Sequence, residues 1–133
     1  MEACFELRWQ LLRAPWGQPR GSERDAFDAT ALHRAATMDD DIIGVGRVQP
    51  ENQTQWRIRY MAVVEAYRHQ GVGAALLESL ERVAREHGGA MMVLDARELA
   101  LGFYQAFGYQ KGVESKHLFG EIRHFHMTKE IDH

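Results

Sequence analysis

Several features that would place this chain quickly are missing. Cys4 is its only cysteine, so no disulfide can close within the chain, and this usage fits a reducing compartment. No apolar run approaches the roughly 18 residues that a membrane-spanning helix needs. Positive charge is not in excess: 16 Lys and Arg stand against 19 Asp and Glu, a formal net charge of −3. That balance gives no electrostatic footprint for nucleic acid. The opening residues, MEACFELRWQLLRAPWG, lack the layout of a secretory signal. The expectation is a cytoplasmic protein with neither membrane nor nucleic acid as a partner.

What is present suits one folded unit. Apolar residues make up 45% of the 133, too many for disorder and enough for one core, so residues 1–133 read as a single domain. Cys4–Arg13 has the spacing of a short amphipathic helix with Phe5, Leu7 or Leu11, and Leu12 inward, stopped by Pro15, Gly17 and Pro19. A polar, acidic loop follows over Gly21–Thr30. Ala31–Met38 and Ile42–Val48 read as a hairpin turning at Asp39–Asp41, and Gln49–Thr54 as a loop. WRIRYMAVV, residues 56–64, alternates Trp56, Ile58, Tyr60 and Ala62 against Arg57, Arg59, Met61 and Val63, as a strand does. From Val72 the apolar positions Leu76, Leu80, Val83 and Ala84 keep helical spacing, with Glu78/Arg82 and Glu81/Arg85 on the other face and Gly88–Gly89 as the stop. Ala90–Ala96 is a buried-strand run, Glu98–Phe107 a helix, and Tyr109–His117 with Glu121–Lys129 a closing antiparallel pair around Phe119–Gly120. This order predicts an α/β sheet with helices packed on it.

The segment richest in chemistry lies between the long strand and the long helix. RHQGVGA, Arg68 to Ala74, puts a Gly-X-Gly loop directly before a helix. Small residues let the backbone approach a phosphate, and the first unpaired N–H groups of the helix point at it with the helix dipole behind them. A tight strand-to-helix turn with no ligand explains the spacing equally well. The loop lacks the Gly-Lys-Ser/Thr end of a Walker motif and the third glycine of the dinucleotide fingerprint. Arg57, Arg59 and Arg68 form a local basic patch suited to an anion, although Arg57 and Arg59 also read as solvated strand charges.

Two motifs together carry a family resemblance. Arg68-His69-Gln70-Gly71-Val72-Gly73-Ala74 resembles the acetyl-CoA motif of the GNAT superfamily of N-acetyltransferases, and FYQAFGY, Phe103 to Tyr109, resembles its second motif, in the same order and at a similar separation. The resemblance runs over residues 42–129. LRWQLLRAPWGQPRG and FGEIRHFHM resemble the ElaA-type branch of that superfamily. The implied fold is a mixed, mainly antiparallel central sheet with helices on both faces, its N-terminal strand short or missing in this chain.

The resemblance implies acetyl-CoA as co-substrate. Met61, Ala62 and Val63 would pair with the pantetheine arm by strand addition. His69, Gln70, Gly71, Val72, Gly73 and Ala74 would hold the pyrophosphate with N–H groups, and the Arg68 side chain would assist. Tyr104 matches the family's general acid, facing the leaving sulfur, and an N–H near Val63 would meet the oxyanion. Many relatives carry a strand glutamate as base, but no carboxylate lies between Gln55 and Val64 here. His124 is the first candidate in its place, then Asp95, then His33; a base is dispensable if the amine arrives neutral through ordered water. His124 and His126 share a strand face, but two histidines do not fill a zinc site, so no metal is expected. Arg47 either meets an acceptor carboxylate or pairs with Asp25 or Asp28, and the acidic loop either attracts a cationic amine or is spent within the fold. The expected activity is acetyl transfer to a primary amine of a small molecule or peptide. A non-catalytic acyl-CoA-binding or protein-interaction module is the competing reading, and a homodimer is an expected assembly because sheet edges need cover.

Overall fold

A computed structural model describes residues 2–25, 28, 30–118 and 122–131, the side chains of 116–118 excepted. The expected turn at Phe119–Gly120 lies outside these residues. Helix α1 spans Glu2–Leu12 and is followed by strands β1 (Leu32–Met38), β2 (Asp41–Pro50) and β3 (Gln55–Val63), helix α2 (Val72–Glu86), strand β4 (Met91–Arg97), helix α3 (Leu101–Ala106), and strands β5 (Gln110–Leu118) and β6 (Ile122–Glu130). They form one six-stranded sheet in the order β1-β2-β3-β4-β6-β5. Every neighbouring pair is antiparallel except β3 and β4. α2 is the crossover that a parallel pair requires. No strand precedes α1 among the described residues.

The hairpin closes as its sequence predicts, through a two-residue turn. Asp39 and Asp40 take φ of 50° and 71°, between the paired residues Met38 and Asp41, the twist that suits tightly connected strands. The long strand departs from its expected alternation. Val45 pairs with Ala62 and Arg47 with Arg59, so Gly46 faces two residues, Tyr60 and Met61. This is a β-bulge, and Tyr60 sits in it at φ 55°. The bulge turns the Tyr60 ring away from the side of Trp56 and Ile58.

The two faces of the sheet differ in chemistry. α2 lays Leu76, Leu77, Leu80, Val83 and Ala84 inward, and the core beneath includes Val48, Trp56, Ile58, Met92, Leu94 and Met127. α1 covers the other face with Phe5, Leu7 and, against its expected pattern, Arg8 buried. Arg8 donates to Asp28 at 2.8 Å and to the Glu23 carbonyl at 3.0 Å. Arg47, fully buried, holds Asp25 through two bonds of 2.6 and 3.0 Å and Asp28 at 3.0 Å. The Tyr60 hydroxyl also donates to Asp25, and the Arg8 and Arg47 guanidiniums lie 4.2 and 4.9 Å from its ring centre. Arg47 and the acidic loop are therefore spent on each other, the internal alternative of the two raised by the sequence.

Glu81 corrects another expectation. It is buried on α2 rather than solvated opposite the core. It accepts from Lys129 at 3.0 and 3.1 Å and from the Tyr109 hydroxyl at 2.9 Å, whereas Arg85 stands 3.9 Å away. Burial and the Glu81 charge both push the Tyr109 phenol well above its ordinary value. Glu81→Ala leaves a part-buried ammonium and a buried hydroxyl without their acceptor. Urea unfolding should show a loss of roughly 2–3 kcal/mol, the scale of hydrogen bonds to charged groups. A loss near zero would mean that water replaces the carboxylate.

A cleft between splayed strands

β3 and β4 pair over three positions only, Gln55–Met91, Trp56–Met92 and Arg57–Val93. Beyond them the strands diverge. β3 stays paired with β2 past its bulge as far as Val63, and β4 follows β6, with which it pairs along its whole length. The gap is a cleft of about 710 Å³. One wall is Ile58–Val63 and the other Leu94–Arg97. The end of α1 contributes Leu11 and Leu12, with Arg13 just beyond it, and α3 contributes Phe103 and Tyr104, with Phe107 just beyond it. The β4-facing edge of β3 is thus an open strand edge inside a pocket, a place where an amide-bearing chain can pair.

The N-terminus of α2 opens into the same cleft. Gly71 precedes the helix at φ 85°, a conformation that favours glycine, and no side chain caps the helix. A Cβ at Gly73 would stand 3.2 Å from the Phe103 ring, so glycine lets α3 approach the helix start. The early N–H groups of the helix therefore face a ligand space with no side chain on them.

Of the residues expected to hold a cofactor, Met61, Ala62, Val63, Arg68, His69, Gly71, Gly73 and Ala74 line the cleft. Gln70 and Val72 do not line it: the Gln70 side chain donates to the Ala66 carbonyl at 3.1 Å, and Val72 points toward Gly44. Arg68 uses its Nε on the Val63 carbonyl at 3.1 Å, which leaves its terminal nitrogens for an anion. Of the two other basic residues of the patch, Arg57 is taken by Glu51 and Asp95, and Arg59 reaches Asp25 at 3.4 Å.

Tyr104 and His124 both line the cleft. Tyr104 is buried, and its hydroxyl donates to the Met61 thioether at 3.7 Å, a weak acceptor. Burial pushes this phenol up to about 12, with Arg97 acting in the opposite direction. It stays protonated across the neutral range and remains a donor. His124 is buried, with Nδ1 3.1 Å from the Ile122 carbonyl. It pairs in register with Arg97 across β4 and β6. Asp95 also lines the cleft, held by Arg57 at 2.7 Å and near His126 at 3.6 Å. His33, the third base candidate, lies on β1 with Nε2 2.9 Å from the Asp28 carbonyl and does not line the cleft.

One cleft residue escaped the sequence reading. Arg97 ends β4, and its terminal nitrogen donates to the Leu12 carbonyl at 3.3 Å. Its only sequence signal is a cation closing an otherwise apolar run, MMVLDAR.

Comparison with known proteins agrees with this architecture. The model of the acetyltransferase (GNAT) domain family matches residues 19–131. A Bacillus subtilis (strain 168) protein carrying an acetyltransferase assignment is 30% identical over 99% of this chain and 90% of its own length. Escherichia coli ElaA has a similar fold, with a TM-score of 0.82 and 24% identity over 97% of this chain and 88% of its own. An aminoglycoside 6'-N-acetyltransferase solved with coenzyme A superposes with a TM-score of 0.81 at 18% identity, over 97% and 91% of the two chains.

Proposed function

From the premise that this chain belongs to the GNAT acetyltransferase family, we propose that it moves the acetyl group of acetyl-CoA directly to a primary amine, with Tyr104 and His124 as its catalytic side chains. The observation that carries the proposal is one cleft holding a splayed strand edge, an uncapped glycine-lined helix start and a buried tyrosine whose hydroxyl donates to a thioether, a weak acceptor.

In this reading Met61 to Val63 pair with the pantetheine amides. The N–H groups around Gly71 to Ala74, with Arg68 and His69 beside them, take the pyrophosphate. The amine nitrogen attacks the thioester carbonyl, and a backbone N–H near Val63 meets the developing oxyanion. The carbon–sulfur bond breaks, the acetyl group stays on nitrogen, and the CoA thiolate leaves toward the Tyr104 hydroxyl. The nitrogen gives up one proton, accepted by His124, and the thiolate gains one, so the products are the acetamide and CoA thiol. No group on the enzyme is acylated on the way.

Two measurements test this. Acetyl-CoA and free CoA, but not ATP, should raise the thermal midpoint, since a ligand bound only by the native state stabilises it by about 2.7 kcal/mol at a hundredfold excess over Kd. Thiol release from acetyl-CoA with an amine panel should then give a rate that falls in acid as the base takes up a proton. In His124→Ala this acid limb should vanish and the rate should drop by about 10² or more. An unchanged profile in that variant would remove His124 as the base.

A further inference from the structure

The charge around the cleft is one-sided. Arg13, Arg59, Arg68 and Arg97 line it, and Asp95, the one carboxylate among the described lining residues, is tied to Arg57. Asp25 and Asp28 are engaged by Arg8 and Arg47 and do not line it. A polycation therefore meets no uncommitted carboxylate among the described lining residues. Cofactor phosphates account for Arg68, which stands in the loop that leads into α2. They do not account for Arg97, on the opposite wall.

Arg97 has five donors, and among the described residues only the Leu12 carbonyl, at 3.3 Å, takes one of them. No described carboxylate pairs with it, in contrast to Arg8, Arg47, Arg57 and Arg59. Burial, first, and then the charges of Arg13 and Arg68 hold this guanidinium below its ordinary value; the opposite charge of a bound anion would offset both. Its register partner is His124, so the two Cβ atoms stand about 5 Å apart on one face. An anion held by Arg97 thus belongs to a molecule whose amine lies within reach of the base.

We propose that Arg97 receives the carboxylate of the acceptor, so that the amine acetylated here is carried by a compact carboxylate-bearing molecule of the amino-acid class rather than by a polycation. Arg97 then sets specificity, and its planar fork suits bidentate capture of a carboxylate. The inference rests on the acetyl-transfer reading above.

The test compares free amino acids with the corresponding amino-acid amides, which keep the amine and lose the carboxylate, in wild type, Arg97→Gln and Arg97→Lys. Wild type should favour the acid form by at least about tenfold in kcat/KM, the scale of one charge-assisted contact. Arg97→Gln should lose that preference, chiefly through KM, with the midpoint rise given by CoA unchanged. Arg97→Lys should keep part of it. Equal wild-type rates on acid and amide, or a preference that survives in Arg97→Gln, would overturn the assignment. Loss of the CoA-driven midpoint rise in Arg97→Gln would put Arg97 on the cofactor and overturn it as well. CoA binding with no acetylation of either panel would instead sink the transfer reading itself, and this inference with it.

Discussion

Tyr104→Phe should lower turnover by about 10²-fold while leaving both the fold and the midpoint rise given by CoA close to wild type. General acid or hydrogen-bond donation to a leaving group contributes on that scale. The ring supplies the packing: it lies 5.0 Å from Phe103 and 5.6 Å from Tyr109, and neither contact needs the hydroxyl. What the substitution removes is one hydrogen bond to the Met61 thioether, a small loss for stability. The kinetic cost is therefore chemical. The phenol stands near 12, whereas an ordinary thiol titrates near about 8.5, so full proton transfer from Tyr104 to the leaving thiolate is uphill. The hydroxyl works mainly by hydrogen bonding to sulfur as the bond breaks, which places the loss toward the lower end of the general-acid range. It also predicts no alkaline fall in rate from Tyr104 until the pH nears 12. For stability the sign is the same: a folded value raised above the unfolded value of about 10 favours the protonated fold. That contribution is complete below pH 10 and lost as the pH climbs toward 12. Turnover of Tyr104→Phe within a factor of about three of wild type would remove the tyrosine from the chemistry, since such a change is under 1 kcal/mol in the barrier.

Local chemistry was readable wherever neighbours in sequence decide it. The hairpin at Asp39–Asp40, the Gly71–Gly73 loop and the helix after it depend on residues within one turn of each other, and their expected places lie within a few residues of the observed ones. The departures depend on partners far along the chain. Tyr60 left the expected strand face because the register of β2 inserts a bulge, and no alternation within β3 shows that. Helical spacing leaves Arg8 out of the inward set of its helix and sets Glu81 on the solvated face of its own. They are buried because Asp28 lies 20 residues away in one case and Lys129 lies 48 residues away in the other. The Glu98–Phe107 segment begins as a 3₁₀ turn, and α3 proper is only Leu101–Ala106. At the site, the motifs located the loop and Tyr104, while Arg97 carries no motif and gained its meaning only from the cleft it lines.

Arg47→Met should cost roughly 3–5 kcal/mol of stability, the penalty for breaking a buried pair by removing one partner. Arg47 is fully buried and bridges Asp25 and Asp28 through three hydrogen bonds. Without it Asp25 keeps only the longer bond from Arg59, at 3.4 Å, and the Tyr60 hydroxyl, at 3.2 Å, among the contacts described above. Methionine fills the volume but cannot compensate the charge, and at this chain length the midpoint should fall by on the order of 10 °C or more. Combining Arg47→Met with Asp25→Asn should recover part of the loss, because the second change removes the charge that the first left stranded; the two effects then fail to add. Acid works on the same network. Burial would raise the Asp28 carboxyl, but hydrogen bonds from Arg8, the Asp25 amide and Arg47 outweigh it and hold the group low. Its contribution is present above the ordinary value of about 3.9 and drains away as the pH falls through the lower folded one. Urea unfolding at neutral pH and near pH 3 measures both effects in wild type and the two variants. A neutral-pH loss below about 1 kcal/mol in Arg47→Met would mean that water reaches Asp25 and Asp28 and replaces the guanidinium. A large loss should reach the cleft as well, because Asp25 anchors Tyr60 and Arg59 in the wall of β3, and the midpoint rise given by CoA should shrink with it.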